Sequence, residues 1–189
     1  MSFDPYVAVI RFGMGLSPHH ATPVRADDLL EEVSGPEMTG DAYSIPPFAT
    51  AEPSLRTHAH AKSERHKARG TDAYAALDQR VNDLRKEALA AQERHVRATF
   101  ARAVDSSFGF KERLTAFWAD HFTVIAPGGN RRHLVSPYVE EAIRPYVGGR
   151  FADMLRAVET HPAMLIYLQP VSYTHLTLPT KESRGGCGG

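Results

Sequence analysis

The chain has one cysteine, Cys187, and no excess of either charge. With Cys187 set aside, a body without cysteine forms no disulfide and no thiolate metal site, and it suits a reducing or an oxidising compartment equally. Lysine and arginine together number 22 and aspartate and glutamate 22, so no net field draws the chain to nucleic acid or to an anionic membrane. No apolar run approaches the roughly 18 residues that a membrane span needs. The first residues, MSFDPYVAVIRFGMGLSP, place Asp4 and Pro5 where a signal peptide carries its basic residues, and the expected location is cytoplasmic. Strand-type alternation and internal repeats are also missing. The expected fold class is therefore all-α, an irregular multi-helix bundle.

Helical periodicity is what the sequence does have. Asp4 followed by Pro5 makes a helix opening, an acceptor at the N-cap and a residue with no N–H to leave unpaired, and Val7, Ile10 and Met14 follow at helical spacing. A second short helix is predicted across ADDLLEEV, with Leu29, Leu30 and Val33 inward and Gly35 as its stop. Residues 36–70 carry Pro36, Pro46, Pro47 and Pro53 and the polar stretch THAHAKSERHKARG, which predicts a long loop. From Asp72 the pattern is strongly helical, through Leu77, Val81, Leu84, Ala88, Gln92, Val96, Phe100 and Val104. Ser107 is placed to cap the next helix, FGFKERLTAFWADHFTV, whose apolar stripe is Phe110, Leu114, Phe117, Trp118, His121 and Phe122. After the turn PGGNRRH, Ser136-Pro137 opens another helix that Pro145 ends. FADMLRAV follows with Phe151, Met154, Leu155 and Val158 inward. Thr160 or His161 caps a last helix, PAMLIYL, which is apolar all round and has about two turns before Pro170.

Three ordered pieces, VIRFGMGLSP, FKERLTAFWADHFTV and YVEEAIRPYVGGRFADMLRAVETHPAMLIYL, resemble the uncharacterised bacterial family called domain of unknown function 1800. The second piece is similar to its Arg-Leu…Phe-Trp-x-x-His-Phe helix. The third is similar to its Arg-Pro…Gly-x-Phe-x-x-Leu-Leu segment and the Pro-Ala-Met-Leu-x-Tyr-Leu after it. The resemblance implies a largely helical protein with no established activity. It also implies a longer chain continuing into an Asn-Glu-Asn…Arg-Glu segment, and a partner in the phosphatase-like protein often encoded beside such relatives. The final residues, VSYTHLTLPTKESRGGCGG, match no part of that pattern. VSYTHL is what one frame of a transposase adapter used in sequencing libraries encodes. The expectation is that residues 1–168 are the N-terminal part of a larger helical domain with an incomplete core, and that 169–189 are a non-native tail.

Candidate chemistry is sparse. His121 lies on the apolar stripe beside Asp120, and a buried imidazole there would serve as a general base or metal ligand, or would merely hold helices together through a hydrogen bond. Arg131, Arg132 and His133, in the turn PGGNRRH, make a candidate anion-binding group, since glycines free backbone N–H groups and arginines grip phosphate or carboxylate; a plain interhelical turn is the simpler reading. His58, His60 and His66 have only Glu64 to complete a metal site and read as solvated, as do His19 and His20. No metal site is assigned, and no cofactor can be named. Ser136 lacks a nucleophile elbow, and Glu140 and Glu141 suit the start of a helix. Two functions remain: a helical binding or structural interaction protein, and a metal- or acid/base-dependent hydrolase centred on His121 and Asp120 and completed by residues beyond this chain.

Overall fold

A computed structural model describes residues 3–125 and 131–172, the side chains of 169–172 excepted. Among them are eight α-helices and no strand: α1 Pro5–Phe12, α2 Ala26–Ser34, α3 Phe48–Lys67, α4 Tyr74–Asp105, α5 Phe110–His121, α6 Val135–Ala142, α7 Phe151–Thr160 and α8 Pro162–Ser172. The all-α expectation holds. Asp4 caps α1 as expected, its carboxylate accepting the Tyr6 and Val7 N–H groups at 2.9 and 3.1 Å. The buried side of α1, however, is Ala8 and Val9, while Val7, Ile10 and Met14 are exposed.

The predicted loop over 36–70 is corrected across most of its length, because Phe48–Lys67 is a 20-residue helix. Pro47 sits at its N-cap, where proline is harmless, and Pro53 lies within it. An interior proline loses one backbone hydrogen bond. That loss is offset by a stripe at helical spacing: Phe48, His58 and Ala61 are buried, and Ala51 and Leu55 pack on the core. The stripe escapes a hydropathy reading because alanine and histidine occupy three of its five positions, and the rest of the helix carries mainly polar, exposed residues.

α4 has the length expected, but its buried line is Val81, Ala88, His95, Ala98 and Arg102. The predicted line advanced in fours after Gln92, and each step of four overshoots a full turn by about 40°. Val96, Phe100 and Val104 have thereby rotated to the outside.

The core lies between the start of α3, α6, α7 and α8. Tyr138, Ala142 and Ile143 are fully enclosed, with Met154, Val158 and Ala163 against them. Trp118 and Phe122 of the α5 end pack on this cluster, whereas Phe117 is exposed. His161 caps α8, its Nδ1 accepting the Ala163 N–H at 3.1 Å, while its Nε2 lies 3.0 Å from Glu141 Oε2. The other Glu141 oxygen accepts the Phe48 N–H at 2.6 Å. One carboxylate thus ties the starts of α3 and α8 together. Helix α8 continues through Pro170 to Ser172 instead of stopping before the proline; the expected non-native tail otherwise falls on 173–189, outside the described residues.

Ser107 does not cap α5. Gly109 occupies the cap position with φ of +76°, and no side chain of its own segment serves it. Glu32 of α2 does so from across the fold, its carboxylate accepting the Phe108, Gly109 and Phe110 N–H groups at 2.9, 3.1 and 2.8 Å. A full negative charge satisfies donors that the helix leaves orphaned and opposes the positive end of its dipole. Glu32→Ala is expected to lower stability by about 2 kcal/mol, with Glu32→Gln keeping part of it. Urea denaturation checks this; a loss below about 0.5 kcal/mol would show that water replaces the carboxylate without penalty.

Candidate functional site

The structure leaves His121 exposed at the last position of α5, with Asp120 exposed beside it. The expected burial of the His121 ring on the stripe is corrected. His121 is the last residue of α5, and among the described residues its imidazole has ring neighbours in Phe122 at 4.8 Å, Trp118 at 5.6 Å and Phe117 at 6.4 Å between centroids. Of the turn PGGNRRH, residues 127–130 lie outside the described ones. Arg131 is half-buried, Arg132 exposed and His133 buried.

His133 is the predicted residue that the fold draws into a cluster. Its Nε2 is 3.0 Å from Ser54 Oγ of α3, and its carbonyl is 3.1 Å from His95 Nδ1 of α4. These contacts line a cavity of about 660 Å³ between α3, α4 and the 41–46 stretch, with His58 also in its wall. Neither His121, Asp120, Arg131 nor Arg132 lines it. His60, by contrast, is exposed and 3.8 Å from Glu64.

The protonation of the cluster follows from its partners. A carbonyl only accepts, so His95 Nδ1 carries the proton. Burial holds the His95 imidazole below its ordinary value, against the His133 carbonyl, whose hydrogen bond raises it. The Ser54 hydroxyl donates to the Ala51 carbonyl at 2.6 Å. With that proton committed, His133 Nε2 donates to Ser54 Oγ, the reverse of the arrangement that activates a serine nucleophile. Burial also lowers His58, helped by Lys62, Arg65 and Arg85. Among the described residues, no three His, Cys, Asp or Glu side chains converge to hold a metal ion.

A second concave surface lies on the far side of α4. Met14, Val96, Phe100, Ala116, Val135 and Val139 wall a groove of about 380 Å³. It adjoins another of about 350 Å³ that shares Met14, Phe100 and Ala103 and adds Leu16, Val104 and Phe108. Phe100, Val104 and Leu16 are 68, 67 and 57% exposed, so this is one continuous apolar face spanning α1, α4 and α5.

The floor of the groove is ionic. Arg144 makes a two-pronged pair with Glu112, the longer arm 3.3 Å, with both side chains less than a tenth exposed. Arg144 Nε is also 3.2 Å from Glu37. Arg102 meets Glu140 at 2.6 Å and donates to the Tyr43 carbonyl. Lys111 closes the network on Glu37 at 2.6 Å. Burial raises the Glu112 carboxyl despite the two arginines that pull it down. Glu140 and Glu141 thus serve the tertiary structure and not the start of their own helix.

Sequence reasoning missed His95, Ser54 and the ionic floor. A signal for two of these residues was present, since Val81, Ala88, His95 and Arg102 recur every seven residues and mark one face of α4.

A family model described as "Protein of unknown function (DUF1800)" matches residues 7–173. No curated protein matches the chain, and no solved structure does.

Proposed function

Because the chain belongs to the DUF1800 family of proteins of unknown function, a membership that carries no activity with it, we propose from its surface that it is a helical interaction protein. The observation that carries this reading is the apolar face over α1, α4 and α5, where Met14, Leu16, Phe100 and Val104, which wall the two adjoining grooves, are each about half exposed or more. Contiguous apolar surface on that scale marks a place where polypeptide docks. Thr99, Ala103, Thr115, Ala116 and Ala119 keep the groove between α4 and α5 shallow-sided, which admits a helix at close range and suits the helix-in-groove mode. The resemblance points to a neighbour-encoded, phosphatase-like protein as the first partner to test. Nucleic acid is a poor candidate for a chain of balanced charge, and among the described residues no helix is long and apolar enough to cross a membrane.

A photoreactive benzoylphenylalanine at position 100, compared with one at the exposed Arg80 of α4, tests this reading with the candidate partner present. A covalent adduct is expected at 100 and not at 80, and Val104→Asp, in the same groove wall, is expected to abolish it. Equal labelling at both positions, or none at 100 with any co-expressed partner, overturns the reading.

The exposure of both His121 and Asp120 keeps a second reading in view, in which they act as an acid–base pair of a hydrolase open to substrate. Metal content and hydrolytic activity that disappear in His121→Ala, with folding unchanged, would favour it.

A further inference from the structure

The cavity between α3 and α4 shares no lining residue with the apolar groove, and its chemistry differs. Its walls are mainly small apolar side chains, Ala51, Ala88, Ala91 and Ala98, with Leu84 and Pro46. Alanine at so many positions of two facing helices leaves space that leucine would fill. The resulting volume of about 660 Å³ falls within the range of small-molecule sites, roughly 300–1,000 Å³. Such sites pair apolar walls with a few fixed polar groups. Here the polar groups are His95 and Ser54, each already held by the fold.

What those two groups present follows from the bonds they make. His95 Nδ1 is occupied by the His133 carbonyl, so Nε2 is a lone-pair acceptor that no described residue engages. Ser54 donates its O–H to the Ala51 carbonyl and accepts the N–H of His133 Nε2, which leaves a lone pair on Oγ. Both groups therefore accept and neither donates. The charged residues in the wall balance, Asp41 and Glu87 against Arg94 and Arg97, so no net charge selects an ion.

We propose that this cavity binds an uncharged, mainly apolar small molecule that carries an N–H or O–H donor, held by a hydrogen bond to His95 Nε2. The low proton affinity that burial gives His95 keeps that lone pair available at neutral pH. A carboxylate ligand would face two acceptors and be rejected, and a purely apolar one would leave Nε2 unpaired.

Indole and N-methylindole test the proposal on the full chain, since they share shape and apolar area and differ in the donor. Calorimetry or ligand-observed NMR is expected to find one saturable indole site, bound about tenfold more tightly than N-methylindole, the worth of one net hydrogen bond. Replacing His95 by phenylalanine removes the acceptor and is expected to erase that ratio. Should this variant fail to fold, Ala91→Trp fills the cavity without touching His95 and is expected to abolish binding of both compounds. Equal affinity for the two indoles, binding that survives Ala91→Trp, or no saturable binding overturns the proposal.

Discussion

Replacing Arg144 with methionine is expected to lower stability by about 3–5 kcal/mol, because it strands a buried charge instead of removing one. Arg144 is 4% exposed and holds Glu112, 7% exposed, with a two-pronged contact. Methionine fills much of the volume but offers the carboxylate nothing. For a domain whose whole stability is about 5–15 kcal/mol, the change is enough to unfold a large share of the chain. The pH dependence carries the diagnosis. Burial already raises the Glu112 carboxyl above its ordinary value, and Arg144 is the largest influence opposing that rise. Its loss pushes the carboxyl further up, so the folded state takes a proton more readily than the unfolded state does. Stability from such a group is greatest below the unfolded value and falls as pH rises through the folded one. The deficit is therefore expected to be smaller at about pH 5 than at about pH 7.5. Adding Glu112→Gln to the variant removes the stranded charge, and denaturant unfolding is expected to recover half or more of the loss. A deficit independent of pH and unrelieved by Glu112→Gln would show that packing, and not charge, is what Arg144 supplies.

That ion pair could not be read from the sequence, and the reason extends to the rest of the fold. Signals that act within one turn were legible: Asp4 and Pro5 open α1, and Pro145 closes α6 ahead of the 3₁₀ turn Arg144–Tyr146. Signals that depend on which face a neighbour covers were not. Helix α3 looks like a loop because its inward stripe includes Ala51, His58 and Ala61, which become a stripe only against α4 and the core. On α4, a rule based on large apolar residues followed Phe100 and Val104 outward, while the fold buried His95 and Arg102 by giving them partners. The candidate site divides in the same way. His133 was nameable from its own turn, but its partners Ser54 and His95 are 79 and 38 residues away in sequence, beyond the reach of any single-helix pattern. Glu32 is a similar case, a surface-type residue of α2 whose work is done at the start of α5.

Gly13→Ala is expected to cost about 3 kcal/mol, because the added methyl has nowhere to go. An ideal Cβ at Gly13 would lie 2.1 Å from the Phe108 carbonyl oxygen and 2.8 Å from that of Val9. Both are backbone atoms, so no side chain can rotate aside. The Gly13 backbone also fixes the join between helices: its N–H closes α1 on Val9 at 3.0 Å, and its carbonyl receives Arg113 of α5 at 2.7 Å. Relief of the clash requires α1 to lift from the segment 108–110 that Glu32 organises. Gly149→Ala is the control, since a Cβ there meets nothing nearer than 3.5 Å, and its effect is expected to stay within about 0.5 kcal/mol. The consequence for function follows from Met14, the next residue, which walls both halves of the apolar groove. If α1 shifts, that wall moves with it. Gly13→Ala is therefore expected to weaken crosslinking from position 100 at temperatures where the chain is still folded, while leaving indole binding between α3 and α4 unchanged. Loss of both together would show that the two surfaces are coupled through α4.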